Sequence, residues 1–153
     1  MIEILHATTD EQVEAVRELW RSYWAEFGFT PCFQGFDQEV TGLPGKYAPP
    51  SGRLLIAIDD GNVIGAIALR AVDAGTCEAK RLYITPAHRG GGVSRILMQR
   101  VMDEARSIGY RRMVGDTMPV MTQALAMYDR MGFRRIDGYP GSTEGAICIE
   151  FTL

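Results

Sequence analysis

Three consecutive glycines, Gly90-Gly91-Gly92, separate a stretch that reads as a strand from one that reads as a helix, and this junction constrains the chain more than any other feature. Residues 77–84 form the strand, which Pro86 stops because proline cannot donate to a sheet ladder. After the glycines, Val93, Ile96, Leu97, Val101, Met102 and Ala105 recur at helical spacing until Gly109 ends the run. The remaining segments must fit around this strand–turn–helix unit. Residues 2–7 read as a strand, and Asp10 caps a helix to about Phe27 with Val13, Val16, Leu19, Trp20 and Tyr23 on one face. Residues 28–50, rich in glycine, proline and aromatics, read as ordered loop with a short helix around 37–41. Residues 53–59 and 63–71 are strands joined by the turn Asp60-Gly61-Asn62. A strand at 111–117 follows the glycine-started helix. Then come a helix opened by Pro119 and closed by Gly132, and strands at 133–136 and 146–151. Hairpins followed by a β-α-β crossover predict an α/β (α+β) fold: a mixed sheet with helices on both faces.

With 153 residues, no internal repeat and no dividing linker, the chain suits one domain spanning residues 1–153. Its 46% apolar and 23% charged residues are the balance of a soluble globular protein. A net charge of −3 argues against nucleic acid and anionic membrane as partners. No stretch reaches the ~18 apolar residues of a membrane helix, and the N-terminus lacks the pattern of a signal peptide. Cys32, Cys77 and Cys148 are scattered, which reads as inert thiols in a reduced, cytoplasmic protein. His6 and His88 lie far apart and form no ligand spacing, so no metal is expected.

The glycine junction carries the chemistry. Glycines let the backbone turn with no side chains in the way, and the helix beginning there presents unpaired N–H groups and the positive end of its dipole. Such an end binds phosphate, and Arg89 and Arg95 flank it. There is no Gly-Lys-Ser/Thr for a Walker loop, and Arg95 stands where a dinucleotide fingerprint needs its third glycine. The residues themselves therefore say phosphate or pyrophosphate, against the plain alternative of a glycine-rich helix start.

The segment Leu82-Tyr83-Ile84-Thr85-Pro86-Ala87-His88-Arg89-Gly90-Gly91-Gly92-Val93-Ser94 resembles the cofactor motif of the GNAT N-acetyltransferases, a strand ending L-x-V-x-P and then R/Q-x-x-G-x-G/A. Ala124-Leu125-Ala126-Met127-Tyr128-Asp129-Arg130-Met131-Gly132-Phe133 resembles the later A-x-x-x-Y-x-x-x-G-F motif, in the right order and at the right distance. Ser94 stands where glycine or alanine is usual. Met121 stands where many members place an asparagine. The resemblance implies a mixed, mostly antiparallel sheet of six to seven strands with a splay between two central parallel strands. It implies a single acyl-CoA N-acyltransferase domain using acetyl-CoA and no metal. Leu82, Tyr83 and Ile84 are implied to pair with the pantetheine arm, and Arg89, Gly90, Gly91, Gly92, Val93, Ser94 and Arg95 to hold the pyrophosphate.

The same resemblance makes Tyr128 the general acid for the leaving thiolate. A free tyrosine titrates near ~10, which suits that donation. From the helix pattern alone, Tyr128 reads as a core residue. Many family members place a glutamate six residues before the Ile84 position, which makes Glu78 the candidate general base, with Asp116 its rival. The plain alternative for Glu78 is an ion pair with Lys80 or Arg70. Strand alternation is expected to put Glu78, Lys80, Leu82 and Ile84 on one side. Tyr23, Trp24, Phe27, Phe33, Phe36, Glu39, Tyr47, Tyr139 and Glu144 are candidate acceptor-pocket residues, a set that suits a small cation. Most of these aromatics equally suit core or lid packing. The expected acceptor is a small-molecule or peptide amine; exposed strands often pair in this family, and the sequence leaves open whether the chain forms a homodimer. The competing reading is a non-catalytic acyl-CoA-binding or regulatory domain.

Overall fold

The computed structural model describes residues 1–28 and 33–153, the side chains of Phe33 and Gln34 excepted. Cys32 and the ring of Phe33, both considered above, lie outside the described residues. Seven strands form one sheet in the order β1-β2-β3-β4-β5-β7-β6: β1 Ile2–His6, β2 Arg53–Asp59, β3 Asn62–Ala71, β4 Thr76–Ile84, β5 Arg112–Thr117, β6 Arg134–Ile136 and β7 Ile147–Thr152. All neighbours are antiparallel except β4 and β5. Helices α1 Asp10–Phe27 and α2 Phe33–Thr41 cover one face, and α3 Val93–Ile108 and α4 Thr122–Met131 cover the other. The mixed sheet with helices on both faces matches the expectation from the sequence.

Local chemistry explains the element ends. Thr9, rather than Asp10, caps α1: its hydroxyl accepts from the Gln12 N–H at 3.1 Å, and the Gln12 side chain accepts from the Thr9 N–H at 3.1 Å. This reciprocal pair is a capping box, and Asp10 then sits in the first turn, where its charge suits the helix dipole. Gly109 and Gly132 close α3 and α4 in the left-handed conformation, at φ 110° and 94°. The helix expected from Pro119 begins only at Thr122, because Met121 keeps a non-helical backbone as its cap. The short helix expected at 37–41 is longer, Phe33–Thr41.

Two cores lie either side of the sheet. Val93, Leu97, Met98, Val101, Met102 and Ala105 of α3 pack on Leu55, Ile67, Leu69, Cys77, Ile84 and Met113. Val13, Val16, Leu19, Trp20 and Tyr23 of α1 pack on Leu54, Ile56, Ala66, Ala68 and Tyr83. Each large side chain so buried contributes about 1.5–3 kcal/mol. Ile96, expected in the apolar stripe of α3, is 44% exposed.

Two departures from regular pairing make the site. The β4–β5 register runs only through Thr76↔Arg112, Cys77↔Met113 and Glu78↔Val114. Beyond it β4 stays attached to β3 as far as Ile84↔Gly65, and β5 to β7 as far as Thr117↔Ile147. Each strand keeps its outer neighbour while their facing edges part, which is the expected splay. The second departure is a bulge. Ala66 pairs Tyr83 and Ala68 pairs Lys80, so Arg81 and Leu82 together oppose Ile67. Arg81 takes φ 62°, a left-handed backbone that a non-glycine residue adopts at a cost of about 1–2 kcal/mol. The extra residue inverts the alternation. Cys77, Ala79, Leu82 and Ile84 face α3, and Tyr83 faces α1. Glu78 and Lys80, paired with Arg70 and Ala68, lie on the α1 side. The expectation that Glu78 and Lys80 share a face with Leu82 and Ile84 is therefore corrected.

Candidate active site

The glycine loop leads from β4 into α3 through a 3-10 turn at Pro86–His88. Gly90 and Gly92 adopt φ 86° and 85°, which glycine supports without strain. Gly91 differs: its φ lies outside the left-handed region, and a Cβ built there would meet no atom within 4 Å. Neither backbone nor packing calls for glycine at 91, so what its bareness provides is open approach to the start of α3. No side chain caps that start, and its first turn holds no acid, so the N–H groups of Val93, Ser94 and Arg95 face it uncompensated.

The two flanking arginines are placed differently. Arg89 donates to both carboxylate oxygens of Glu26 at 2.6 and 2.7 Å and to the Ile84 carbonyl at 2.9 Å. Its guanidinium lies 5.2 Å from the Tyr83 ring centre, and the Tyr83 hydroxyl donates to Glu26 as well, at 2.9 Å. The Arg89 hydrogen bonds hold the Glu26 carboxyl below the ordinary carboxylate range. Arg95 is exposed and has no ion pair among the described residues.

Where β4 and β5 part, a small cleft of about 40 Å³ opens between Ala79, Lys80, Arg81 and Leu82 of β4, Asp116 and Thr117 of β5, Met121, Ala124 and Tyr128 beside them, and Tyr23 of α1. Tyr128 is half-buried, with its ring 5.4 Å from that of Phe133. Burial, with the nearby Tyr23 and Asp116, pushes its phenol well above the ordinary range, so it stays protonated and able to donate. Tyr23 is pushed up to about 12 by burial, against the charge of Arg81. Met121 turns its sulfur into this cluster, 3.3 Å from Thr117 Oγ1 and 3.9 Å from the Tyr23 hydroxyl.

Behind the cleft the charges are paired one by one. Glu78 is fully buried: Arg70 Nε donates to Oε1 at 2.5 Å, and the Tyr139 hydroxyl donates to Oε2. Burial and the adjoining Glu78 carboxylate push the Tyr139 phenol far up, so it holds its proton. Glu39 receives Arg81 Nε at 2.9 Å and the Tyr47 hydroxyl at 2.8 Å. Burial works to raise the Glu39 carboxyl, but the charge and hydrogen bond of Arg81 outweigh it and leave it below the ordinary range. Asp116 Oδ2 accepts from the Thr143 N–H at 2.7 Å, and its Oδ1 has no partner among the described residues. Tyr139 and Thr143 both belong to the β6–β7 connection, so Glu78 and Asp116 each anchor that segment.

The candidate residues thus separate. Tyr128 and Asp116 meet at the cleft with Leu82, whereas Glu78 stands behind it with both oxygens occupied. Of the candidate acceptor residues, Tyr23 lines the cleft; Trp24 stacks on Phe36 with ring centres 4.7 Å apart, Tyr47 is buried against Trp20, and Glu144 is exposed. Glu39 is taken by Arg81. Sequence reading overlooked Lys80 and Arg81 as cleft residues, because an arginine gives no sign of a bulge where glycine or asparagine would. Burial pushes the Cys77 thiol up to about 12 and the Cys148 thiol upward too, leaving both unreactive. Among the described residues no helix is long and apolar enough to cross a membrane, and no group of three or more His, Cys, Asp or Glu is placed to hold a metal.

A model of the acetyltransferase (GNAT) family matches residues 13–133. An uncharacterized N-acetyltransferase of Schizosaccharomyces pombe is 31% identical over 140 residues, spanning 90% of this chain and 86% of that protein. Among solved structures, an acetyltransferase of Streptococcus agalactiae superposes with a TM-score of 0.85 at 21% identity, over 99% of this chain and 98% of that one. A GNAT family acetyltransferase of Elizabethkingia anophelis with acetyl-CoA bound superposes with a TM-score of 0.68 at 22% identity, over 99% and 98% of the two chains.

Proposed function

The chain belongs to the acetyltransferase (GNAT) family, and from that premise we propose that it moves the acetyl group of acetyl-CoA to a primary amine by direct attack on the thioester. The observation that carries the reading is the alignment of three features along β4. An uncapped helix start lies at one end, an open strand edge follows, and a cleft holding a protonated Tyr128 and a free Asp116 oxygen lies at the other.

Each feature meets one part of the donor. The N–H groups of Gly90 to Arg95 suit a pyrophosphate, with Arg95 adding charge. The edge of Leu82, Tyr83 and Ile84, which no strand covers although Arg89 holds the Ile84 carbonyl, suits the amides of the pantetheine arm, by strand addition. The thioester then reaches the cleft beside Tyr128. Gly91 supports the fit: a Cβ there would meet no atom within 4 Å, so the approach to the helix start is open to a bulky anion.

The chemistry moves two protons. Asp116 orients the acceptor ammonium and passes its first proton to solvent. The freed nitrogen bonds to the thioester carbon, the carbon–sulfur bond breaks, and the thiolate leaves with its electron pair. Tyr128 donates a proton to that sulfur and recovers one from the nitrogen, leaving an amide and free CoA. Glu78 serves by fixing Arg70 and Tyr139 rather than by touching the amine. The route needs no covalent enzyme intermediate, and among the described residues the two cysteines, Cys77 and Cys148, are buried with their thiols pushed upward.

The test is a panel of amino acids, polyamines, aminoglycosides and peptide N-termini with acetyl-CoA, reading free thiol. Amine-dependent release of CoA is expected. Tight acetyl-CoA binding with no release for any amine would replace the enzyme with a binding module.

A further inference from the structure

We infer that the acceptor is a small amine carrying a carboxylate, an amino-acid-like zwitterion, with Lys80 as the residue that recognises its carboxylate and so determines specificity. The inference rests on the acetyl-transfer reading and names the acceptor class for the same cleft.

The bulge at Arg81 places two successive cations, Lys80 and Arg81, on the same cleft wall, where regular alternation would have sent one of them to the opposite face. Left-handed backbone at an arginine is held only where the surroundings enforce it, and such strain gathers at functional sites. The two cations are not equivalent. Arg81 is neutralised by Glu39 at 2.9 Å and lies over the Phe36 ring, 5.0 Å from its centre. Arg70 is neutralised by Glu78 at 2.5 Å. Lys80 has its nearest carboxylate oxygen at 4.0 Å, and that oxygen is the one Arg70 already occupies. Its side chain is 14% exposed, so water compensates little of its charge. Burial, assisted by the charge of Arg81, pulls its ammonium below the ordinary lysine range, against the opposing charges of Glu78 and Glu39.

A partly desolvated ammonium whose one ion pair is long and shared with Arg70 is completed by a closer anion. Across the cleft, Asp116 offers one free carboxylate oxygen, which is completed by a cation. A ligand bearing both charges at short range satisfies both walls. A polyamine or other cationic acceptor satisfies Asp116 and sets a second positive charge against Lys80 and Arg81. Among the described residues, Trp24 and Phe36 are stacked on each other, Tyr47 is buried against Trp20 and Glu39 is occupied, so these offer such an acceptor no seat. The cleft, about 40 Å³ before any adjustment, favours a short acceptor.

The experiment measures kcat/KM for the common amino acids, each beside its amide and its decarboxylated amine, for example alanine, alaninamide and ethylamine. Wild type, Lys80→Met and Lys80→Arg are compared. Amine basicity differs within each set, so the readout is the change in the carboxylate-to-amine ratio between variants, in which basicity cancels. The ratio should favour the carboxylate in wild type, fall roughly 30-fold in Lys80→Met through KM, and be largely kept in Lys80→Arg. Acetyl-CoA titration of each variant shows that the donor site is intact. Equal losses for all acceptors in Lys80→Met, or a wild-type preference for amines without a carboxylate, would overturn the inference and leave the acetyltransferase reading standing. Absence of turnover with every amine would overturn both.

Discussion

The two halves of the site, on either side of the point where β4 bulges, are built from different material. The half proposed to hold the donor, from Leu82 to Arg95, offers mainly backbone: an open strand edge, three glycines and an uncapped helix start. The acceptor half is made of side chains, with Arg70, Glu78 and Tyr139 in one buried cluster, Glu39, Tyr47 and Arg81 in another, and Lys80 and Asp116 left with capacity to spare. The difference follows the task. A donor shared by a whole family can be gripped by main-chain groups that no substitution removes. An acceptor particular to one protein must be recognised by side chains, which can change without disturbing the donor.

That contrast breaks first at the buried cluster. Arg70→Met leaves the fully buried Glu78 without its closest counter-charge and should cost about 3 kcal/mol of stability, because an uncompensated buried carboxylate is expensive. Urea denaturation measures it, and the double variant Arg70→Met/Glu78→Met should recover most of the loss. Failure of the double variant to recover would mean that Glu78 holds more than Arg70 and Tyr139. Acetyl-CoA affinity in the folded variants should be unchanged. Tyr128 sits at the boundary of the halves and sharpens the contrast. Tyr128→Phe should lower kcat about 100-fold, roughly 2.7 kcal/mol, with acetyl-CoA affinity kept, since only proton donation is removed. A loss appearing in affinity, with kcat intact, would return Tyr128 to the core role that its helix pattern alone suggests.

The same contrast explains what could be read from the chain. The donor half is contiguous in sequence, so the strand, the glycines and the helix stripe of Val93, Leu97, Val101 and Met102 announce it directly. The acceptor half joins residues far apart: Glu39 to Arg81 across 42 positions and Glu78 to Tyr139 across 61. No spacing rule connects such partners, although Arg70 and Glu78, close across a hairpin, could be paired in advance. The bulge is the deeper obstacle. Period-two alternation is a sound guide only while the strand is regular, and one left-handed residue at Arg81 moved Leu82 and Ile84 to the face opposite Glu78 and Lys80. Glu26 was invisible for a similar reason: its partner Arg89 lies 63 positions away, and the pairing takes up a guanidinium that the loop motif alone would assign to phosphate.

Calorimetric titration of acetyl-CoA into Gly91→Glu and Lys80→Met, side by side with wild type, tests the division most directly. The Gly91 site has open space and an unstrained backbone, so the new side chain should leave the melting temperature almost unchanged. It places a carboxylate and bulk over the helix start, and acetyl-CoA affinity should fall about tenfold or more, at least ~1.4 kcal/mol, while Lys80→Met stays within about twofold of wild type. Wild-type affinity in Gly91→Glu, or an equal loss in Lys80→Met, would contradict a donor site made of main chain and an acceptor site made of side chains.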